Sequence, residues 1–375
     1  ASKSGTPPQA PGALQSVFRD LTHKEITRIC LDERKRKLFV GDSRGRMFSI
    51  NIKNGAKMKK FKKGEKSKNK DKEDISSMYY WGGKQCILMS ASWDGHIRLY
   101  DDSDSSEEGL RKQTTWAHKD SANYIDFKLK GQLCASCGDD GIIIVYNFNS
   151  YRQEGILKYT NPNFSTPSPV KFCKFLEDTD ILVSADLDGF ISFWCVSHEL
   201  HPKKNQLLCQ VQDHSTADVG GEKPPHFPIR AIDYDKEENI LYTGDEMGFM
   251  IRWDISRLVE KLDSLRPHEG VDGQLTGKLS KGKSTFLTGF NDEIAKMQFL
   301  EDDVQQLERW KAHDDLINQV TFVPELGVVS TCSFDCNVKM WNKTTCKQVG
   351  SLVLGTGSSS SQEQSQAEKI KYANI

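Results

Sequence analysis

The sequence predicts an all-β fold, a propeller of six four-stranded blades, on three observations. An eleven-residue unit recurs as SASWDGHIRLY (90–100), SCGDDGIIIVY (136–146), SADLDGFISFW (184–194), TGDEMGFMIRW (243–253) and TCSFDCNVKMW (331–341), with a weaker copy, VGDSRGRMFSI, at 40–50. Each copy reads as the end of one strand, a tight turn and a second, alternating strand. Further short apolar runs lie on both sides of every copy, leaving little room for helices.

The turn residue falls at Gly45, Gly95, Gly141, Gly189, Gly248 and Cys336, at spacings of 50, 46, 48, 59 and 88 residues. Upstream of each unit stands a candidate inner strand: ITRICL, ISSMYY, NYIDFK, VKFCKF, IRAIDY and INQVTF. The second strands are KLFVGD, CILMSAS, QLCASC, DILVSAD, NILYTGD and GVVSTCS. The alternating segment after each turn is the third, and runs such as LRKQTTW and QLLCQV supply a fourth. Four short antiparallel strands at a period of about 40–50 residues make a propeller blade.

Composition narrows the function. The chain has 375 residues, with 51 basic and 52 acidic side chains and a net charge of −1. A nucleic-acid or membrane-surface protein would carry a one-sided charge, which this chain lacks. No apolar run approaches the roughly 20 residues that span a bilayer. The opening stretch, ASKSGTPPQAPGALQ, is polar and rich in Pro and Gly, unlike a secretory leader. Ten dispersed cysteines suggest no disulfide framework. Most, including Cys86, Cys134, Cys173, Cys195 and Cys332, fall in candidate strands and read as small hydrophobes. Cys134 and Cys137 form a CxxC, but odd spacing on a strand sends the two thiols to opposite faces. The reading is a reduced, intracellular protein without cofactor or metal.

Trp116-Ala117-His118 and Trp310-Lys311-Ala312-His313 resemble the Gly-His opening of WD repeats. The Asp-Gly turn with a Trp or Tyr six residues after the Asp completes that pattern. The resemblance covers nearly all of residues 16–355. It implies a hydrogen-bonded chain of His, Ser or Thr, Asp and an aromatic inside a blade. The matching sets are His118, Ser136, Asp140 and Tyr146, and His313, Thr331, Asp335 and Trp341. Two blades keep Ser90, Asp94 and Tyr100, and Ser184, Asp188 and Trp194, without an evident His. In the first and fifth copies Arg44 and Met247 replace the turn Asp, so the chain is expected to be incomplete there. A His–Ser–Asp set invites a catalytic reading. These sets recur in several blades, however, and a buried polar chain that satisfies its own donors rigidifies a sheet. No catalytic residue is assigned.

The stretch 23–61 and the closing WKAH…STCSFDCNVKMWN…VGSLVLG are similar to large WD-repeat proteins of cilia and flagella that also carry an EF-hand region. That similarity implies a scaffold on the axonemal doublet. No Ca-binding loop of the D-x-D-x-D-G type is present to extend the match.

Specificity in a propeller belongs to its loops. The WD resemblance implies that loops joining second to third strands, and one blade to the next, share one face, here called the top. Third-to-fourth strand loops open on the bottom. Lys57–Lys72 carries nine lysines and reads as the loop from blade one to blade two, either a solvated, mobile loop or a non-specific contact for an acidic surface such as tubulin tails through Lys59, Lys60, Lys62 and Lys63. The acidic run Asp101–Glu108 falls on the bottom face. The insertion 255–306 contains ISRLVEKLDSL, whose Ile255, Leu258, Val259, Leu262 and Leu265 share one helical stripe. That stripe either packs on the underside or docks a partner, and the insertion is where a scaffold-specific contact is expected. A second amphipathic stretch, 292–300, carries Ile294 and Met297.

The same insertion matches GxxxxGK[ST] at Gly277–Ser284. A phosphate-cradling loop needs a buried strand leading in and a helix leading out. The flanks GVDGQLT and TFLTGF provide neither, so a P-loop nucleotide hydrolase is a remote alternative.

At the ends, residues 1–15 read as flexible and 356–375 as a disordered tail around a propeller spanning 16–355. SVFRDL (16–21) sits where the outer strand of a preceding blade belongs. A seven-bladed ring with upstream strands is therefore expected beside the six-bladed alternative. The functional expectation is a non-catalytic scaffold for protein–protein contacts, in the cytoplasm or cytoskeleton and most plausibly in a ciliary axoneme. Its partners would be axonemal or cytoskeletal subunits, with no membrane, small-molecule or nucleic-acid ligand. The alternative is a soluble adaptor, as a ubiquitin-ligase substrate receptor or a trafficking regulator.

Overall fold

The computed structural model describes residues 18, 21–61, 73–82, 86–103, 110–113, 118–128, 132–147, 150, 152–158, 167–196, 207–213, 227–264 and 299–353. Each repeat folds into its own four-stranded antiparallel sheet, with strands in sequence order from the axis outward. Blade one holds β1 (Ile26–Leu31), β2 (Lys37–Asp42), β3 (Met47–Asn51) and β4 (Lys57–Phe61), and blade two holds β5 (Ile75–Trp81), β6 (Ile87–Ser92), β7 (Ile97–Asp101) and β8 (Leu110–Gln113). Blade three comprises β9 (Ala122–Lys128), β10 (Leu133–Gly138), β11 (Ile142–Asn147) and β12 (Arg152–Lys158). Blade four comprises β13 (Val170–Phe175), β14 (Ile181–Asp186), β15 (Phe190–Cys195) and β16 (Leu207–Gln212). Blade five holds β17 (Ile229–Asp235), β18 (Ile240–Asp245), β19 (Phe249–Asp254) and β20 (Gln305–Lys311), and blade six holds β21 (Ile317–Val323), β22 (Val328–Ser333), β23 (Asn337–Asn342) and β24 (Gln348–Val353).

This architecture follows from the apolar content of the second and third strands. Both faces of β6, β10, β14 and β18 are buried throughout, so each sheet must be covered on both sides. One face of a blade packs on the next blade. The second-strand residues Phe39, Met89, Ala135, Val183 and Tyr242 mark that face, each at most 5 % exposed. The following blade answers from its inner strand with an aromatic: Tyr80, Phe127, Phe175, Tyr234 or Phe322. Tyr80 stacks on Phe39 with ring centroids 4.8 Å apart, and Phe322 on Tyr242 at 6.0 Å.

Polar staples cross the same junctions. Asp126 accepts the Phe175 N–H and Asp233 accepts the Phe322 N–H, each at 2.7 Å. Arg28 donates to the Ser76 carbonyl at 2.6 Å and Ser76 to the Ala122 carbonyl at 2.5 Å. CxxC is split as strand geometry requires: Cys134 faces the core shared with blade two, and Cys137 the core shared with blade four. No disulfide joins any of the ten cysteines. Cys86 precedes β6 at φ 45° instead of lying within the strand.

Two sequence expectations change. The lysine run does not begin as a loop: Lys57–Phe61 is the outer strand β4, which puts Phe61 into the core shared with blade two and half-buries Lys59 on the same face, while Lys57 and Lys60 are exposed. The inserted helix, α1 (Ser256–Ser264), exists, and its stripe is covered. Ile255, Leu258 and Leu262 are at most 1 % exposed and Val259 8 %, all within the core of blades four and five. Leu258, Val259 and Leu262 therefore hold the helix to the propeller and are closed to a partner. Leu265, the second amphipathic stretch to residue 298, the GxxxxGKS match, Lys62, Lys63, residues 104–108, the terminal segments 1–15 and 356–375, and most of SVFRDL lie outside the described residues. Of that last stretch, Phe18 and Leu21 pack against Val40, Phe48 and Ile50 of blade one.

The turn glycines are required by contact as well as by φ. Gly95 (φ +82°) and Gly248 (φ +79°) accept bonds at 2.8 Å from His118 N–H and at 3.0 Å from His313 N–H, the start of the next blade. A Cβ on Gly95 would stand 2.6 Å from the His118 carbonyl oxygen, and one on Gly248 would stand 2.8 Å from that of Asp315. Gly327 has φ +60° with open space around it. Gly327→Ala should cost about 1 kcal/mol, the left-handed penalty alone. Gly95→Ala and Gly248→Ala should each cost about 2 kcal/mol or more, because a neighbouring backbone must also shift. Urea unfolding of the three variants checks that order.

Candidate interaction surface and the polar chains beneath it

The inner strands of all six blades line a central channel of about 800 Å³. Several of its charged wall residues are paired. Lys174 contacts Asp233 at 3.2 Å, Lys171 contacts Asp139 at 2.5 Å, and Asn123 also donates to Asp139 at 2.7 Å. Arg230 donates from Nε to Glu246 at 2.6 Å. The turns between second and third strands surround the top mouth, where the first turn position is Ser43, Trp93, Asp139, Leu187, Glu246 and Phe334 in blades one to six. Trp93, Leu187 and Met247 stand 44, 38 and 44 % exposed on these turns, and Trp93 and Phe334 also line the channel. Exposed apolar side chains beside satisfied ion pairs make a surface suited to a protein segment.

Beneath the turns run the polar chains. In blade three, Asp140 lies 2.9 Å from His118 Nδ1, His118 Nε2 lies 2.9 Å from Ser136 Oγ, and Ser136 lies 2.9 Å from Tyr146 Oη. In blade six, Asp335 lies 2.8 Å from His313 Nδ1, Nε2 lies 2.7 Å from Thr331 Oγ1, and Trp341 Nε1 donates to Thr331 at 2.9 Å. The carboxylate can only accept, so Nδ1 carries a proton and Nε2 accepts from the hydroxyl. The hydroxyl in turn accepts from the aromatic. Ser136 and Thr331 are each held between two partners and are fully buried inside their sheets.

The remaining blades solve the same turn differently. In blade two Arg98 takes the place of the histidine, donating to Asp94 at 2.5 and 3.1 Å while 4 % exposed. Burial alone would raise the Asp94 carboxyl, but hydrogen bonds from His96 and Arg98 hold it well below the usual carboxylate range. Ser90 lies beside Tyr100 without a well-formed hydrogen bond. In blade four, Trp194 Nε1 donates to Ser184 at 2.8 Å, but Asp188 is exposed and outside the chain. Its role passes to Asp186, which accepts the N–H groups of Asp188 and Phe190 at 3.0 and 2.9 Å. Asp42 and Asp245 hold the turns of blades one and five in the same way. The carboxylate therefore sits at the strand end or two residues later: where the strand ends in Ser or Gly, as at Ser92, Gly138 and Ser333, the turn supplies it.

Of the lysines read as partner contacts, Lys59 donates to the Asp101 carbonyl at 2.8 Å and binds blade two, while Lys60 is exposed. Among the described residues no cluster of three His, Cys, Asp or Glu could hold a metal, and no helix is long and apolar enough to cross a membrane.

Comparison with known proteins agrees with this geometry. The model of the WD domain, G-beta repeat, matches residues 67–101, 110–147 and 304–342. The chain is a β-propeller carrying WD repeats. It is 21% identical over 386 residues to cilia- and flagella-associated protein 337 B of Tetrahymena thermophila, covering 91% of this chain and 28% of that protein. It is 20% identical over 260 residues to the target of rapamycin complex subunit wat1 of Schizosaccharomyces pombe, covering 68% of this chain and 60% of the relative. It is 28% identical over 123 residues to the WD repeat, SAM and U-box domain-containing protein 1 of Danio rerio, covering 33% and 23%. The chain thus spans less than two thirds of each of these relatives.

Two predictions follow from the chains. His118→Leu removes the His118 partner from the buried Ser136 hydroxyl, which keeps only Tyr146, and from Asp140 Oδ1, which keeps only the long Ile142 N–H bond, and should cost about 2 kcal/mol in urea unfolding. Burial pushes Asp186 up to about 7, so between its ordinary value and 7 the folded chain binds a proton that the unfolded chain does not. The stability this contributes is present at acid pH and lost as pH rises through 7. Burial lowers His313, with the opposite sign: its contribution is lost as pH falls below about 6.5. Asp186→Asn, which keeps an acceptor but cannot ionise, should therefore gain on the parent protein between pH 5.5 and pH 8. Urea midpoints at the two pH values measure this difference.

Proposed function

We infer that the protein is a non-catalytic scaffold that joins other proteins in a large assembly, in the ciliary or flagellar axoneme. The observation that carries the scaffold reading is the top mouth itself. It presents Trp93, Leu187 and Met247 to solvent around a channel that carries the Lys171–Asp139 and Lys174–Asp233 ion pairs, while the hydroxyls of Ser136 and Thr331 are held inside the sheets. The axonemal part is supported by similarity to a cilia- and flagella-associated protein across 91% of the chain. Similarity to a target of rapamycin complex subunit and to a U-box protein supports a soluble adaptor as the second reading.

A tagged copy in ciliated cells separates the two. A stable axonemal subunit stays with the axoneme after detergent and low salt and leaves at high salt. Complete release at low salt overturns the axonemal assignment. Trp93→Ala combined with Leu187→Ser should release the protein at low salt without lowering its unfolding free energy by more than about 1 kcal/mol. Unchanged retention of that variant would remove the top mouth from the interface.

A further inference from the structure

The inner strands place one residue of each blade at the same height in the channel wall. These are Arg28, Ser77, Tyr124, Phe172, Ala231 and Gln319, each opposite the residue just before the end of its second strand. All six line the channel. Arg28, Ser77 and Tyr124 stand two residues in from the top ends of their strands, about 7 Å down at roughly 3.3 Å per residue. A side chain entering from the top mouth reaches that depth.

These three residues, on adjacent blades, carry the unused donors of the channel. Arg28 gives Nε to the Ser76 carbonyl at 2.6 Å and Nη1 to the Thr27 carbonyl at 3.0 Å. Both acceptors are neutral, and among the described residues the guanidinium has no carboxylate partner. Lys171, Lys174 and Arg230, the other cations of the channel wall, pair with Asp139, Asp233 and Glu246. The hydroxyls of Ser77 and Tyr124 also have no hydrogen-bond partner among the described residues. The Tyr124 ring is fixed against Phe172, with centroids 4.0 Å apart. Burial draws the Arg28 guanidinium below its ordinary value, and the nearby Tyr124 hydroxyl acts the other way. A buried cation with only neutral acceptors keeps an uncompensated desolvation cost. Blade one meets blade two closely through β1 and β5, whereas the junction of β21 with β1 is more open, so Arg28 is placed by the tighter of its two junctions.

We propose that this level is a carboxylate site, in which Arg28 and the hydroxyls of Ser77 and Tyr124 receive one Asp or Glu side chain of a partner protein. The site rests on the reading of the top mouth as the binding face. Its surroundings define the partner segment further. Glu25 and Asp74 line the rim of blades one and two, and Trp93 N–H donates to the Asp74 carbonyl at 3.0 Å. The two acids repel an acidic run and attract a cation, so the ligand carries its carboxylate next to a lysine or arginine. That cation also finds the face of the half-exposed Trp93. A phosphate, with nearly two negative charges, meets the rim acids more strongly than a carboxylate does.

Phage display of random twelve-residue peptides on the 375-residue chain tests the site. Selected peptides should carry one Asp or Glu beside a Lys or Arg. Fluorescence anisotropy should show a loss of about tenfold when that acid becomes its amide. Arg28→Gln should lose the same factor, and the amide peptide should lose little more on it, since both changes remove one pairing. Tyr124→Phe keeps the ring on Phe172 and both Arg28 bonds, and should lose about threefold. It reads the site even where Arg28→Gln lowers stability. Peptides that require Trp93 but ignore Arg28→Gln and Tyr124→Phe overturn the carboxylate site and leave the top mouth as the binding face. A library that yields no binder overturns the site as well, while axonemal retention still tests the scaffold separately. Tighter binding with phosphoserine in place of the acid overturns it in favour of a phosphopeptide.

Discussion

Each sheet in this protein is apolar on both faces and can bury neither by itself. Everything else follows from that constraint. The second strands carry large side chains on one side and the histidine, serine or threonine chains on the other, so a blade is complete once it lies between two others. The turn glycines belong to the same requirement. At Gly95 and Gly248 the next blade's backbone comes so close that a single methyl group would hold the sheets apart. Apolar burial supplies most of the driving force, at roughly 25 cal/mol per Å², while the Asp126 and Asp233 staples fix where one sheet stops sliding over the next.

The fold was legible because the repeat is written in local chemistry. Period-two alternation and a turn residue at Gly45, Gly95, Gly141, Gly189 and Gly248 are enough to place the second and third strands. The first and fourth strands were harder to read, since β4 is KMKKF and its lysines obscure the alternation that buries Phe61. The polar chains of blades three and six were legible from His118 and His313. The substitutes were not. Arg98 faces Ser90 across β6 and β7, a register that strand alternation could have supplied, and Asp186 announced itself as an acid at the end of an apolar strand. Neither residue belongs to the repeat pattern, which places the acid at the turn and the partner before the first strand. For α1, periodicity revealed an apolar stripe but could not reveal what covers it, since burial depends on blades four and five meeting beneath the helix.

The surface carries the least sequence signal. Trp93, Leu187, Met247 and Phe334 are scattered over about 240 residues and share one end of the propeller because the turns of separate blades surround one channel, which Trp93 and Phe334 line. No window along the chain contains more than one of the four turns. Trp93, Leu187 and Phe334 stand immediately after their second strands and Met247 one residue later, and that position is the feature that links them. The varied identities at that position, from serine to tryptophan, distinguish one blade's rim from another while leaving the sheets below unchanged.

The open junction also gives the propeller a direction. A closed ring has no ends, so losing one blade would expose two faces at once. Because β21 and β1 approach each other less closely than the other neighbouring inner strands, the described sheets behave much as a row of six with two weakly joined termini, and nearest-neighbour terms dominate its stability. Opening then starts from the outer members and moves inward. Amide exchange would be slowest in the middle, around blades three to five, where α1 adds its apolar face to the core of blades four and five. Blade one, partly capped by Phe18 and Leu21, and blade six, capped by nothing among the described residues, would be the first to breathe.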